Sequence, residues 1–184
     1  MIEARVFTDS LDNAKEILYG LEAEYQGRYK IDDAIYRSAD NAVSLTDEFL
    51  RLRVVPENIW DEKPVILALK QTELRQLGKT SHIPLKLQFD TKAEAEEYYN
   101  AHLADDYVFD FAFSRVGWQY VLSNGDVVDL EILEDTHPSI EFKSDTDEGV
   151  KKLLGMFAVS ERDVIKGPSV TVFRQVVQPA SLSS

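Results

Sequence analysis

Apolar and polar residues alternate with period two over many short stretches of this chain and recur at three- and four-residue spacing over a few others. Period two sends successive side chains to opposite faces of a β-strand, whereas three-four spacing lines one stripe of a helix. In residues 1–7, Ile2, Ala4 and Val6 share one face and Glu3 and Arg5 the other. Leu11, Ala14, Ile17, Leu18 and Leu21 follow at helical spacing behind a cap at Asp9 or Ser10. This helix is expected to fray by Tyr25-Gln26-Gly27. Strand patterns occupy 29–38, 50–54, 65–70 and 82–89, with a loop over 39–47 and a stop at Pro56-Glu57-Asn58. Gly78 marks a turn, and Pro84, which donates no ladder hydrogen bond, predicts an edge or a bulge.

The second half continues the pattern. Thr91-Lys92-Ala93-Glu94 has capping-box spacing and opens a helix reaching about Leu103. A long strand over 107–122 meets Asn124-Gly125, the strongest hairpin signal in the chain, and pairs with 127–133. His137-Pro138 turns into a strand at 139–143. Asp145 with Glu148 starts a helix through Val150, Leu153, Leu154 and Phe157, and Ser160 with Asp163 starts a short second one. Pro168 fits the first turn of a last helix over 169–177, where the β-branched content also permits a strand. The reading is one domain over 1–177, about eight strands interrupted by helices, and a flexible tail over 178–184.

Composition narrows the chemistry. The 184 residues suffice for one sizeable core. There is no cysteine, which excludes disulfides, thiolate metal sites and cysteine nucleophiles and makes a cytoplasmic setting the default. No apolar run approaches the ~18 residues of a membrane span, and the N-terminus lacks a signal-peptide pattern. A net charge of −13 argues against nucleic acid or a membrane surface as the main partner. It permits a small anion if the basic residues gather in one cavity.

The strands suggest such a gathering. In Leu50-Arg51-Leu52-Arg53-Val54, the leucines go to one face and both arginines to the other. Two like charges on one strand face repel, so the strand is either washed by solvent or built to hold an anion. Other strands also carry fixed charges on the non-core face: cations at Arg5, Lys70, Lys86, Arg115 and Lys143, carboxylates at Glu3, Asp129, Glu131 and Glu141. The expected fold is therefore α+β. It is a closed antiparallel β-barrel of about eight strands, with leucine faces outward against helices and charged faces lining a tunnel. His82, His102 and His137 are scattered without metal spacing, and no Gly-rich phosphate loop is present.

The order of motifs resembles the CYTH domain, or triphosphate tunnel metalloenzymes, which include class IV adenylyl cyclases, thiamine triphosphatases and inorganic triphosphatases. Met1-Ile2-Glu3-Ala4-Arg5 stands at the family's opening Glu-x-Glu-x-Lys, and Asp33-Ala34-Ile35-Tyr36 is similar to its second strand. Leu50-Arg51-Leu52-Arg53 matches the Leu-Arg-x-Arg strand and Leu67-Ala68-Leu69-Lys70 the strand ending in lysine. Arg115 fits Lys-x-Arg with Phe113 in the lysine's place, Asp129 fits the single aspartate, and Glu141-Phe142-Lys143 stands at Glu-x-Glu.

The resemblance implies binding of a small-molecule triphosphate or nucleotide and its hydrolysis with Mg²⁺ or Mn²⁺. Glu3 and Glu141 would be catalytic. Glu3, Asp129, Glu131 and Glu141 would hold metal. Arg5, Arg51, Arg53, Lys70, Lys86, Arg115 and Lys143 would bind phosphates. Met1 and Lys143 replace acids of the family pattern, and 81–86 offers no glutamate. These losses should weaken metal binding more than phosphate binding. The competing readings are a nucleotide- or polyphosphate-binding module without turnover, a cyclase-like enzyme, and a scaffold with solvated charges. A homodimer is left open.

Overall fold

The computed structural model describes residues 1–40, 44, 47–165, 167 and 169–177. Among them run β1 (Ile2–Phe7), α1 (Asp12–Gly20), β2 (Glu24–Ser38), β3 (Glu48–Glu57), β4 (Val65–Arg75) and β5 (Gly78–Phe89). Then come α2 (Lys92–His102), β6 (Tyr107–Val121), β7 (Val127–Leu133), β8 (His137–Ser144), α3 (Asp147–Met156) and α4 (Ser169–Val177). The strands close into an antiparallel barrel in the order β1-β5-β4-β3-β2-β6-β7-β8, as the alternation predicts. The ladders are unequal. β1 pairs with β8 along its whole length, from Ile2↔Ser144 to Phe7↔Ser139, but meets β5 only at Glu3↔Lys79.

Local chemistry sets the boundaries. Thr91 and Glu94 form the expected capping box at the start of α2. The β6–β7 hairpin turns at Asn124-Gly125, where Gly125 adopts a positive φ of 88° and the Asn124 side chain accepts from the Asp126 amide. Pro84 sits at a bulge: Leu69 faces Leu85 but Gln71 faces His82, so Lys70 alone opposes Ile83 and Pro84.

Several expectations are corrected. Tyr25-Gln26-Gly27 belongs to β2, because α1 stops at Gly20 and Glu22 turns the chain with φ 53°. The N-cap of α1 is Leu11, without a side-chain bond; the Ser10 hydroxyl accepts from the Asp12 amide instead. β3 runs on through Pro56 to Glu57. The cap of α3 is Thr146, whose hydroxyl accepts from the Gly149 amide, one residue after the expected Asp145. Ser160 accepts from the Arg162 amide in a turn rather than opening a helix. The last segment, where helix and strand were both permitted, is the helix α4. Pro168, the 178–184 tail and most of the 41–46 loop lie outside the described residues.

Three helices cover the outer faces of the sheet. Ala4, Val6, Leu130, Ile140 and Phe142 pack with Leu18 of α1 and Leu153 and Leu154 of α3. Leu50, Leu52 and Leu67 pack against Ala95 and Tyr99 of α2. Each fully buried side chain of this kind contributes about 1.5–3 kcal/mol. The fourth helix behaves differently. Val170 and Phe173 of α4 pack with Ile35, Phe49, Phe113 and Leu133, which share strand faces with the charged residues. Thus α4 closes one mouth of the barrel from within. At the other end Ile59 and Trp60 fold over Tyr29, Ile31 and Val55. Among the described residues no helix is long and apolar enough to cross a membrane.

Candidate functional site

Period two fixes what points inward. The faces that exclude the leucines carry Glu3 and Arg5 on β1, Asp33 on β2, Arg51 and Arg53 on β3, Lys70 on β4, Lys79 on β5 and Arg115 on β6; Glu141 and Lys143 complete the set from β8. They line a chamber of about 440 Å³ between the α4 mouth and the Trp60 loop. Asp129 and Glu131 of β7 stand on the same wall, almost wholly buried.

The acids are gripped by cations. Asp33 accepts a bidentate pair from Arg53 at 2.8 and 2.7 Å, with Arg51 and Arg115 at 3.9 and 3.8 Å. Arg5 bonds Glu131, reaches Glu141 at 2.9 Å and donates to Ser139 at 2.8 Å. Glu131 also takes the Tyr29 hydroxyl at 2.5 Å and faces Arg115 at 3.4 Å. The Tyr29 ring lies over Gly117, where a Cβ would come within 2.2 Å of it, so only glycine fits there. Lys143 bridges Asp129 at 2.5 Å and Glu141 at 3.2 Å. Lys79 sits 3.7 Å from Glu3 and 3.1 Å from the Ser169 hydroxyl at the start of α4.

Charge is not balanced. Arg5, Arg51, Arg53, Lys70, Lys79, Arg115 and Lys143 outnumber Glu3, Asp33, Asp129, Glu131 and Glu141, and the surplus lies on β3 and β4. Burial and the neighbouring Arg53 push Arg51 down to about 9, only partly offset by Asp33. Burial and Arg51 push Lys70 down to about 7. The Arg51 Nε is buried without a hydrogen bond, and among the described residues Lys70 has no ion pair. On the opposite wall the balance reverses: burial alone would raise Glu141, but Arg5, Lys143 and Lys79 hold it well below the usual carboxylate range. Asp33 is likewise held far down by Arg53, Arg51 and Arg115 against its burial.

The structure brings together Arg5, Arg51, Arg53, Lys70, Arg115 and Lys143 from the expected phosphate set. Lys86 lines the chamber only at its rim, where it pairs with Glu62 at 2.5 Å. The four acids expected to hold metal share one wall but do not form a metal set. Asp129, Glu131 and Glu141 spend their oxygens on Lys143, Gln119, Arg5, Tyr29 and Arg115, and Glu3 faces Lys79. Among the described residues no group of three acids or imidazoles is placed to hold a metal ion. The donor set present does not fit a resident Mg²⁺ or Mn²⁺, because it already carries its own cations.

Sequence reasoning missed Lys79, Tyr29, Trp60 and Phe173. Lys79 precedes the Pro84 bulge, which shifts the inward phase from odd to even positions within β5. The apolar residues in phase with charges, Phe7, Ile35, Phe49 and Phe113, were the available signal for a plugged mouth. Phe173 stacks edge-on to Phe7 and Phe113 and lies 5.2 Å from the Arg5 guanidinium.

No protein-family model matches the chain, and no curated protein gives a significant match. Solved structures do match. The PH1819 protein of Pyrococcus horikoshii OT3 superposes with a TM-score of 0.74 at 17% identity, over 95% of this chain and 98% of its own. The PH1012 protein of the same organism gives 0.65 at 18% identity, over 89% and 93%. HpAC1 from Hippeastrum, named for adenylyl cyclase and found to have a dominant triphosphatase activity, gives 0.63 at 19% identity, over 95% of each chain. The chain shares one fold with these proteins almost end to end, a closed antiparallel barrel of eight strands with helices packed outside it.

Proposed function

We propose that the chamber binds the phosphate chain of a triphosphate-bearing small molecule: a nucleotide, thiamine triphosphate or inorganic triphosphate. The observation that carries this reading is the surplus of inward cations at Arg51 and Lys70, which lack adequate carboxylate partners. A buried charge without a partner is costly, and a polyanion supplies the missing charge along several oxygens at once. Arg51, Arg53 and Arg115 offer planar forks suited to phosphate oxygens, and Lys70 and Lys79 add point charges. The dominant triphosphatase activity of HpAC1, with the same fold, supports the substrate class. Thermal shift and calorimetry with tripolyphosphate, ATP, thiamine triphosphate and orthophosphate test it. Tripolyphosphate should raise Tm well beyond orthophosphate, and Arg51→Ala should remove most of that gain. Equal responses to all four anions would sink the reading.

Hydrolysis to diphosphate and phosphate is a second reading, favoured by the HpAC1 activity and by Glu3. That carboxylate is the least engaged acid of the chamber, a quarter exposed and 3.7 Å from its nearest cation. In this reading Glu3 and Glu141 position the attacking water. Phosphate release with and without Mn²⁺ decides it. Binding without release in any metal leaves a binding module.

A further inference from the structure

We propose that Lys143 takes, as a tethered ammonium, the place of a divalent cation on the acid wall, so that the chamber receives its triphosphate free of metal. The second clause rests on the triphosphate reading above; the first does not.

Asp129 and Glu141 are direct neighbours across the β7–β8 ladder, and both are buried. Two carboxylates so placed repel, and they coexist as anions only with a cation between them. Lys143 supplies it, 2.5 Å from Asp129 Oδ2 and 3.2 Å from Glu141 Oε2. The other two oxygens are also taken: the Gln119 amide donates to Asp129 Oδ1 at 3.0 Å, and Arg5 lies 2.9 Å from Glu141 Oε1. Glu3 faces Lys143 across the β1–β8 ladder and adds a third attraction.

A divalent ion needs these same oxygens with their lone pairs free. Here both Asp129 oxygens accept hydrogen bonds, from Gln119 and Lys143, and both Glu141 oxygens are ion-paired, with Arg5 and Lys143. The Lys143 side chain cannot retreat without leaving Asp129 with no cationic partner and Glu141 with Arg5 alone as its ion pair. An ammonium has three donors; one is spent on Asp129 while the group ion-pairs with Glu141, which leaves a donor for a phosphate oxygen in the chamber that Lys143 lines. Lys143 thus repeats two offices of a metal ion, neutralising the acids and contacting the anion, at a fixed position on β8.

The test compares the full chain with Lys143→Ala and Lys143→Gln. The glutamine variant keeps length and a donor in case the alanine variant fails to fold. Mn²⁺ binding is read by electron paramagnetic resonance and by thermal shift. The wild type should leave Mn²⁺ free and its Tm unmoved. The variants should bind Mn²⁺ at least about tenfold more tightly and gain Tm from it. Equal Mn²⁺ affinity in wild type and variants overturns the role given to Lys143.

Calorimetry with inorganic tripolyphosphate forms the second arm. Wild-type affinity should persist in EDTA, whereas the variants should need Mn²⁺. Wild-type binding only with Mn²⁺ overturns the metal-free substrate and leaves the triphosphate reading standing. Binding in neither condition overturns the triphosphate reading itself, and the Mn²⁺ titrations still decide what the lysine does.

Discussion

Asp33 holds three guanidinium groups with one carboxylate, and that ratio makes it the residue on which the cationic wall depends. Asp33→Asn should destabilise the protein by roughly 3 kcal/mol, the cost of stranding buried cations, in urea unfolding. Saturating tripolyphosphate should recover more of that loss than it adds to the wild type. Lys70 yields a pH prediction. Burial and Arg51 bring its pKa down to about 7, and a bound anion would raise its affinity for its proton. Binding then takes up a proton, so tripolyphosphate affinity should fall as pH rises from about 7 toward 9. Lys70→Met should flatten that slope in calorimetry; an unchanged slope would assign it elsewhere. At this scale the sequence was readable wherever period two ran unbroken, as at Arg51, Arg53 and Arg115. It was unreadable at Lys79, where the Pro84 bulge changes phase, and at the acids, whose partners come from strands distant in sequence.

Among the elements, α4 separates what periodicity shows from what it hides. Its sequence permitted a helix or a strand and gave no sign of which surface would accept it. The outer faces of the sheet are shared among α1, α2 and α3, and α4 takes the inner ring of Phe7, Ile35, Phe49 and Phe113. Phe173 is the anchor, 2% exposed against two aromatic rings and the Arg5 guanidinium. Phe173→Ala should cost about 3 kcal/mol in chemical denaturation, since the ring leaves a cavity that β-strands cannot collapse around. The capping box of α2, by contrast, could be read outright, because it is a contact between neighbours in sequence. The single-residue offset at Thr146 shows the limit of such signals: Asp145 and Thr146 are both competent caps, and the geometry after β8 chooses.

The whole molecule carries a net charge of −13, yet its chamber holds a cationic excess. Surface and interior therefore respond to acid in opposite ways. As pH falls from 7 toward the pI of about 4.6, surface self-repulsion relaxes and stability should hold or rise. Asp33, Glu131 and Glu141 are held below their ordinary values of 3.8 and 4.5, so the stability they provide is complete above those values. It drains as pH falls through their lowered folded values, and Tm should drop steeply below about pH 4. A decline beginning near pH 6 would contradict this account of the interior.

The β1–β5 ladder closes the cylinder through one residue pair, Glu3↔Lys79. Such a seam is the first to breathe. Its opening disturbs few contacts, whereas parting β2 from β6 would break a ladder running from Glu24↔Val121 to Ser38↔Tyr107. The amide hydrogens at the β1–β5 seam around Lys79 should exchange through a low-energy local opening, well ahead of β2 and β6, which should exchange only with global unfolding. A cylinder plugged at one end and roofed at the other thus has its least stable line along its side, between Glu3 and Lys79.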